Sequence, residues 1–65
     1  MQIILNGKPY PLEHVATVAE LLAKLGFKGR LAVEVNRRIV PRSLFHEQKL
    51  AAGDTVEIVN AIGGG

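Results

Sequence analysis

Cysteine is absent from the 65 residues, and so is tryptophan. Without cysteine there is no disulfide framework, no thiolate metal site and no thiol nucleophile. Long apolar runs are missing too; the longest are a few residues, far short of a membrane span. Charge of one sign is scarce: 8 Lys and Arg against 6 Asp and Glu leave a net charge of +2, too little by itself to point to nucleic acid. Aromatic residues make up only 5% of the chain, and Tyr10, Phe27 and Phe45 are better used in packing than in base stacking. The opening Met1-Gln2-Ile3-Ile4-Leu5-Asn6 has no basic leader or cleavage pattern, so it reads as a strand rather than a signal peptide, and the cytoplasm is the simplest expected location.

Hydrophobic residues make up 48% of the chain and charged residues 22%, the balance of a soluble globular domain rather than a disordered one. At this length one domain is the limit, and roughly 60% of the unfolded surface can be buried. That suffices for one core but leaves no room for an enclosed active-site cavity beside it.

Residues 2 to 5 are β-rich and run into Asn6-Gly7, a pair that tolerates positive φ and is the strongest short-range hairpin signal. A second strand over about Lys8 to Leu12 would complete the hairpin. Pro9 and Pro11 lack an N–H, which places that strand at an edge. Thr17-Val18-Ala19-Glu20 is a capping box, and Val18, Leu21, Leu22 and Leu25 form an apolar stripe at helical spacing. The spacing predicts a helix over 18–25, closed by Gly26 in the left-handed region with Phe27 packing back on Leu22. Leu31-Ala32-Val33-Glu34-Val35 alternates as a half-buried strand. A turn over Asn36-Arg37-Arg38 and a short Ile39-Val40 strand follow, stopped by Pro41. Residues 42–52 are expected to hold a helical turn, with Leu44, Phe45 and Leu50 tucked against the core. After an Ala52-Gly53-Asp54 turn, Thr55-Val56-Glu57-Ile58-Val59 is the last strand, with Val56 and Ile58 inward. One helix covers one face of the resulting sheet, so the class is α+β with the other face open. That open face would carry Ile4, Ala32 and Val59, mildly apolar residues suited to a partner.

No side chain has the surroundings of a catalyst. His14 and His46 stand alone in predicted loops, and Ser43 reads as a cap or turn residue without an activating partner. Asp54 sits in a turn, and Glu34 and Glu57 read as solvated sheet positions. Gly-rich phosphate-binding patterns are absent, and no metal site is expected. The end of the sequence is different. Ala61-Ile62-Gly63-Gly64-Gly65 follows the last strand with no intervening linker, which divides the chain into a folded body over 1–60 and a tail over 61–65. Glycine has no Cβ, so such a tail can be threaded through a channel too narrow for other residues. Five residues reach roughly 17 Å, enough to carry the Gly65 carboxylate into another protein's active site.

Together these features resemble the ubiquitin-like β-grasp sulfur carriers, and most closely the ThiS family of thiamine biosynthesis. The resemblance covers the whole chain. It is carried by Asn6-Gly7, the Thr17-Val18-Ala19-Glu20-Leu21-Leu22 helix start, Val35-Asn36, Ile39-Val40-Pro41-Arg42, the Gly53-Asp54 turn before Val56-Glu57-Ile58-Val59, and Gly64-Gly65. It implies a mixed five-stranded sheet, its first and last strands parallel and central, grasping one helix. It also implies that the chain is a co-substrate rather than an enzyme. An E1-like, ThiF-like enzyme using Mg-ATP would adenylate Gly65, and a persulfide donor would convert it to a thiocarboxylate. A ThiG-like thiazole synthase would then accept the sulfur. Gly64 would be the second residue of the diglycine, Gly63 an addition to it, and Ile62, with Val59 and Ile4, partner-docking residues. The small subunit of molybdopterin synthase and a ubiquitin-like protein modifier use the same tail. An RNA-associated TGS-like module would instead use Arg30, Arg37, Arg38 and Arg42 as a phosphate-contacting patch.

Overall fold

The computed structural model describes residues 1–60. The expected tail, with Ile62, Gly63, Gly64 and Gly65, lies outside the described residues. Strand β1 is Gln2–Leu5 and β2 is Lys8–Pro11. Between them Asn6 and Gly7 both take positive φ, 48° and 84°, the pairing of a two-residue type I′ turn. Helix α1 is Val18–Leu25, with the expected boundaries and the expected cap. Thr17 Oγ1 accepts the Glu20 N–H at 3.2 Å, and Glu20 Oε1 accepts the Thr17 N–H at 3.0 Å and the Ala16 N–H at 2.8 Å. The helix ends in a Schellman motif: Gly26, at φ 77°, donates to the Ala23 carbonyl and Phe27 to the Leu22 carbonyl.

Strands β3 (Leu31–Val35), β4 (Arg38–Val40) and β5 (Thr55–Asn60) complete a five-stranded sheet ordered β2-β1-β5-β3-β4. β1 and β5 pair in parallel at the centre, and the other neighbours are antiparallel. β2 is an edge strand, where its two prolines interrupt no ladder on the outer side. Period-2 alternation sends Ile3, Val33, Val35, Val40, Val56 and Ile58 to one face. There they meet Val18, Leu21 and Leu22 of α1, and Ile3, Val18, Leu21, Val33 and Val56 are fully buried. No helix of the described residues is long and apolar enough to cross a membrane.

Two local expectations are corrected. The turn after β3 holds only Asn36 and Arg37; Arg38 already pairs with Val35 in the ladder. The reason is a second two-residue turn, with Asn36 at φ 52° and Arg37 at φ 69°. Leu44 is 42% exposed, whereas Phe45 and Leu50 are buried as expected. Arg42–Leu44 is a 3-10 turn, in which successive side chains point about 120° apart. Phe45 takes the inward direction, so Leu44 is turned away from the core.

Candidate functional site: the root of the C-terminal tail

β5 is the strand from which residues 61–65 depart, and it is held from both sides. On one side it pairs with β3 from Val56 onward, from Val35↔Val56 to Leu31↔Asn60. On the other side β1 ends at Leu5, opposite Val56, and leaves the upper half of β5 without a neighbouring strand. The Asn6 side chain fills part of that gap. Its Oδ1 accepts the Ile58 N–H at 2.8 Å and its Nδ2 donates to the Ile58 carbonyl at 3.4 Å, so one amide group imitates the next ladder residue. At the start of β5 a second turn asparagine acts similarly. Asn36 Oδ1 accepts the Thr55 N–H at 2.9 Å, and Asn36 Nδ2 donates to Asp54 Oδ1 at 3.0 Å. Asp54 Oδ2 in turn accepts the Ala51 N–H at 2.7 Å, so Asp54 locks the turn before β5. Sequence reading singled out Asn6 and Asn36 for their turns and missed what their side chains hold.

Of the expected docking residues, Val59 is 60% exposed and stands across from Ala32, also exposed, on the face away from α1. Ile4 lies on that face, half-buried, but is paired with Thr55. Four residues of strand separate Thr55 from Val59, about 13 Å, so Ile4 and Val59 share a face without touching. Between them the face carries Glu34 and Glu57, directly opposite one another in the β3–β5 register, and Ile39, 74% exposed, stands beside Glu34. Two surface depressions, one around Glu34, Arg37, Thr55 and Glu57 and one around Arg38, Ile39, Val40 and Leu44, are open to solvent. Ile62, Gly63, Gly64 and Gly65 lie outside the described residues.

The titratable groups form no catalytic constellation among the described residues. His14, Ser43 and His46 are exposed. Glu20 is held below the usual glutamate range by the backbone N–H groups of Ala16 and Thr17, which serves the helix cap at the end of the molecule remote from Asn60. No three of His, Cys, Asp and Glu come together as metal ligands among the described residues. Of the four arginines that would have formed a nucleic-acid patch, Arg30 stands apart from Arg37 and Arg38. Arg30 precedes the β3 start beside Asn60, while Arg37 and Arg38 lie at the far end of β3.

Residues 3–65 match the model of the ThiS family. The sulfur carrier protein ThiS of Bacillus subtilis is 35% identical over 63 residues, covering 94% of this chain and 96% of that protein. A thiazole synthase of Paramagnetospirillum magneticum is 41% identical over 66 residues, which cover 100% of this chain but only 20% of the synthase. The crystal structure of a thiamine biosynthesis protein, ThiS, from Geobacter metallireducens superposes with a TM-score of 0.86 at 32% identity, covering 100% of both chains.

Proposed function

The chain belongs to the ThiS family, and from that membership we propose that it is a sulfur carrier of thiamine biosynthesis whose working group is the carboxylate of Gly65. A carboxylate is a poor acyl donor, because its charge repels nucleophiles and oxide does not leave. In the proposed cycle a carboxylate oxygen attacks the α-phosphorus of Mg-ATP held by an E1-like adenylating enzyme, expelling pyrophosphate and forming an acyl adenylate. The terminal sulfur of a partner's persulfide displaces AMP at the carbonyl carbon. The acyl disulfide so formed keeps the persulfide's S–S bond; attack by a thiol on the donor's sulfur breaks that bond, forms a disulfide between thiol and donor, and leaves a thiocarboxylate on Gly65, ready to attack as a sulfur nucleophile. The ATP and magnesium belong to the enzyme, and the chain itself is a cytoplasmic co-substrate. Gly64 and Gly63 contribute narrowness, and Ile62 and Val59 border the channel mouth, with Ile4 farther along the open face.

The observation that carries this reading is the family match, which runs through the terminal glycines. The thiazole synthase relative adds the acceptor: a counterpart of this whole chain sits within its sequence, which supports a thiazole synthase as the protein that takes the sulfur. The test is incubation with the adenylating enzyme, Mg-ATP and a persulfide source, followed by intact mass and C-terminal fragmentation. Exchange of one oxygen for sulfur at Gly65, absent from a chain lacking that residue, is the expected result. An unchanged mass, with the enzyme active on a known carrier, overturns the reading.

A further inference from the structure

The charges of this small body are segregated relative to the tail. The end from which residues 61–65 depart is built from the Asn6-Gly7 turn and the start of β2, the last turn of α1, the connection 26–30 and the adjoining ends of β3 and β5. These segments carry Lys8, Lys24, Lys28 and Arg30, all exposed, and no Asp or Glu. The carboxylates lie elsewhere. Glu13 follows β2, Glu20 caps the helix start and Asp54 precedes β5, all at the opposite end, where Arg37 and Arg38 make the sign mixed; Glu34 and Glu57 pair one step in from that end, and Glu47 follows the 3-10 turn Arg42–Leu44. Half of the 8 cations and none of the 6 acids thus gather around the tail root.

β3 separates the two ends by about 13 Å along its axis, more than the roughly 8 Å Debye length at physiological ionic strength. A partner approaching the tail end therefore meets a cationic pole rather than the near-neutral average of the chain. Lys24 is partly offset by the helix C-terminus on which it sits; among the described residues Lys8, Lys28 and Arg30 have no such compensation.

We infer that this pole is a docking and steering surface for a protein whose channel mouth is rimmed by carboxylates, so that electrostatic attraction orients the tail end toward the channel. The inference rests on the carrier reading and names the chemistry of the partner's rim. Protein is favoured over nucleic acid because the pole offers no stacking surface. Phe27, its one aromatic residue, is half-buried and packed against the core.

The test compares two double charge reversals, Lys28→Glu/Arg30→Glu at the tail end and Arg37→Glu/Arg38→Glu at the other. Each removes two positive and adds two negative charges, taking the formal net charge from +2 to −2. Association with purified thiazole synthase is followed by stopped flow across a salt series, and sulfur loading of each variant is followed by intact mass. Far-UV circular dichroism checks folding, with Lys28→Gln/Arg30→Gln as the milder pair. Steering predicts that the tail-end reversal slows association about tenfold or more at low salt and flattens its salt dependence, while the distant reversal stays within about twofold. Equal slowing by both pairs, or none by either, overturns the inference while leaving loading, and so the carrier reading, intact. RNA retention by the wild-type chain that the tail-end variants lose would assign the pole to nucleic acid instead. Absence of both sulfur loading and synthase binding in the wild-type chain would sink the carrier reading and this inference together.

Discussion

Asn6 supplies a quantitative test of how the tail root is held. Its side chain makes two bonds to Ile58, 52 residues away, and its backbone sits at φ 48°. Asn6→Gly keeps the turn but removes the acceptor of the Ile58 N–H, leaving a part-buried donor unpaired at a cost of about 1–2 kcal/mol. The reciprocal bond is long at 3.4 Å and adds little. Asn6→Ala suffers the same loss and must also hold a Cβ in the left-handed region, about 1 kcal/mol more, for a total near 2–3 kcal/mol. Asn6→Asp keeps an oxygen facing the N–H and should lose least. A 65-residue domain has roughly 3–10 kcal/mol of stability in all, so the alanine variant should be visibly marginal. Urea unfolding followed by far-UV circular dichroism gives the ranking, and amide exchange at Ile58 gives the location. The order Ala, Gly, Asp from largest loss to smallest is expected, with faster exchange at Ile58 in the first two. A glycine variant within about 0.5 kcal/mol of wild type would refute the clamp, because the side-chain bonds would then contribute nothing measurable.

Four further substitutions test other local claims. Thr17→Ala removes the acceptor for the Glu20 N–H and should cost about 1 kcal/mol in urea titrations. Because Ala16 and Thr17 lower the folded-state pKa of Glu20, its contribution is present above the unfolded carboxyl pKa and lost as pH falls through the folded one; the stability gap between wild type and Glu20→Gln should shrink on acidification, as thermal melts at stepped pH would show. Arg37→Gly relieves a non-glycine residue at φ 69° and should raise stability by a few tenths to about 1 kcal/mol, an effect read from the urea midpoint. Glu57→Gln removes a directly opposed carboxylate pair with Glu34 and should stabilise the chain by about 0.2–1 kcal/mol, less at high salt, as melts at two salt concentrations would reveal.

Local chemistry made most of the fold legible. The capping box and Gly26 bounded the helix, Asn6-Gly7 fixed the first hairpin, and alternation put Val56 and Ile58 inward. The sheet order was not written in any of these signals, because strand partners are chosen across the whole chain; the parallel contact of β1 with β5 was expected only through the family resemblance. The asparagine clamps escaped for the same reason: a turn residue advertises its φ, whereas its side-chain partner 52 or 19 positions away leaves no local mark. Arg30, Arg37 and Arg38 lie within one short stretch of sequence, yet a strand between them carries Arg30 to the opposite end from the other two. The sequence marked Gly65 by composition and position, but the cations around the tail root became a group only once the topology was known.

If the folded body ends at Asn60, removing residues 61–65 should separate stability from function. The β5 ladder with β3 closes at Asn60, the parallel contact with β1 and the Asn6 bonds act at or before Ile58, and the core contains Val56 and Ile58 but no later residue among those described. A chain ending at Asn60 therefore retains every one of these interactions, and its unfolding free energy should stay within about 0.5 kcal/mol of the full chain. Sulfur loading should vanish, since the proposed acyl group is gone. A loss well above 1 kcal/mol would show that the tail contributes to the body's stability and would refute the boundary. A stable body that no longer accepts sulfur would mean that β5, central and braced from both sides, supplies a fixed root while the chemistry belongs to residues beyond it. That division would explain how a chain with no catalytic constellation among its described residues serves the proposed chemical step.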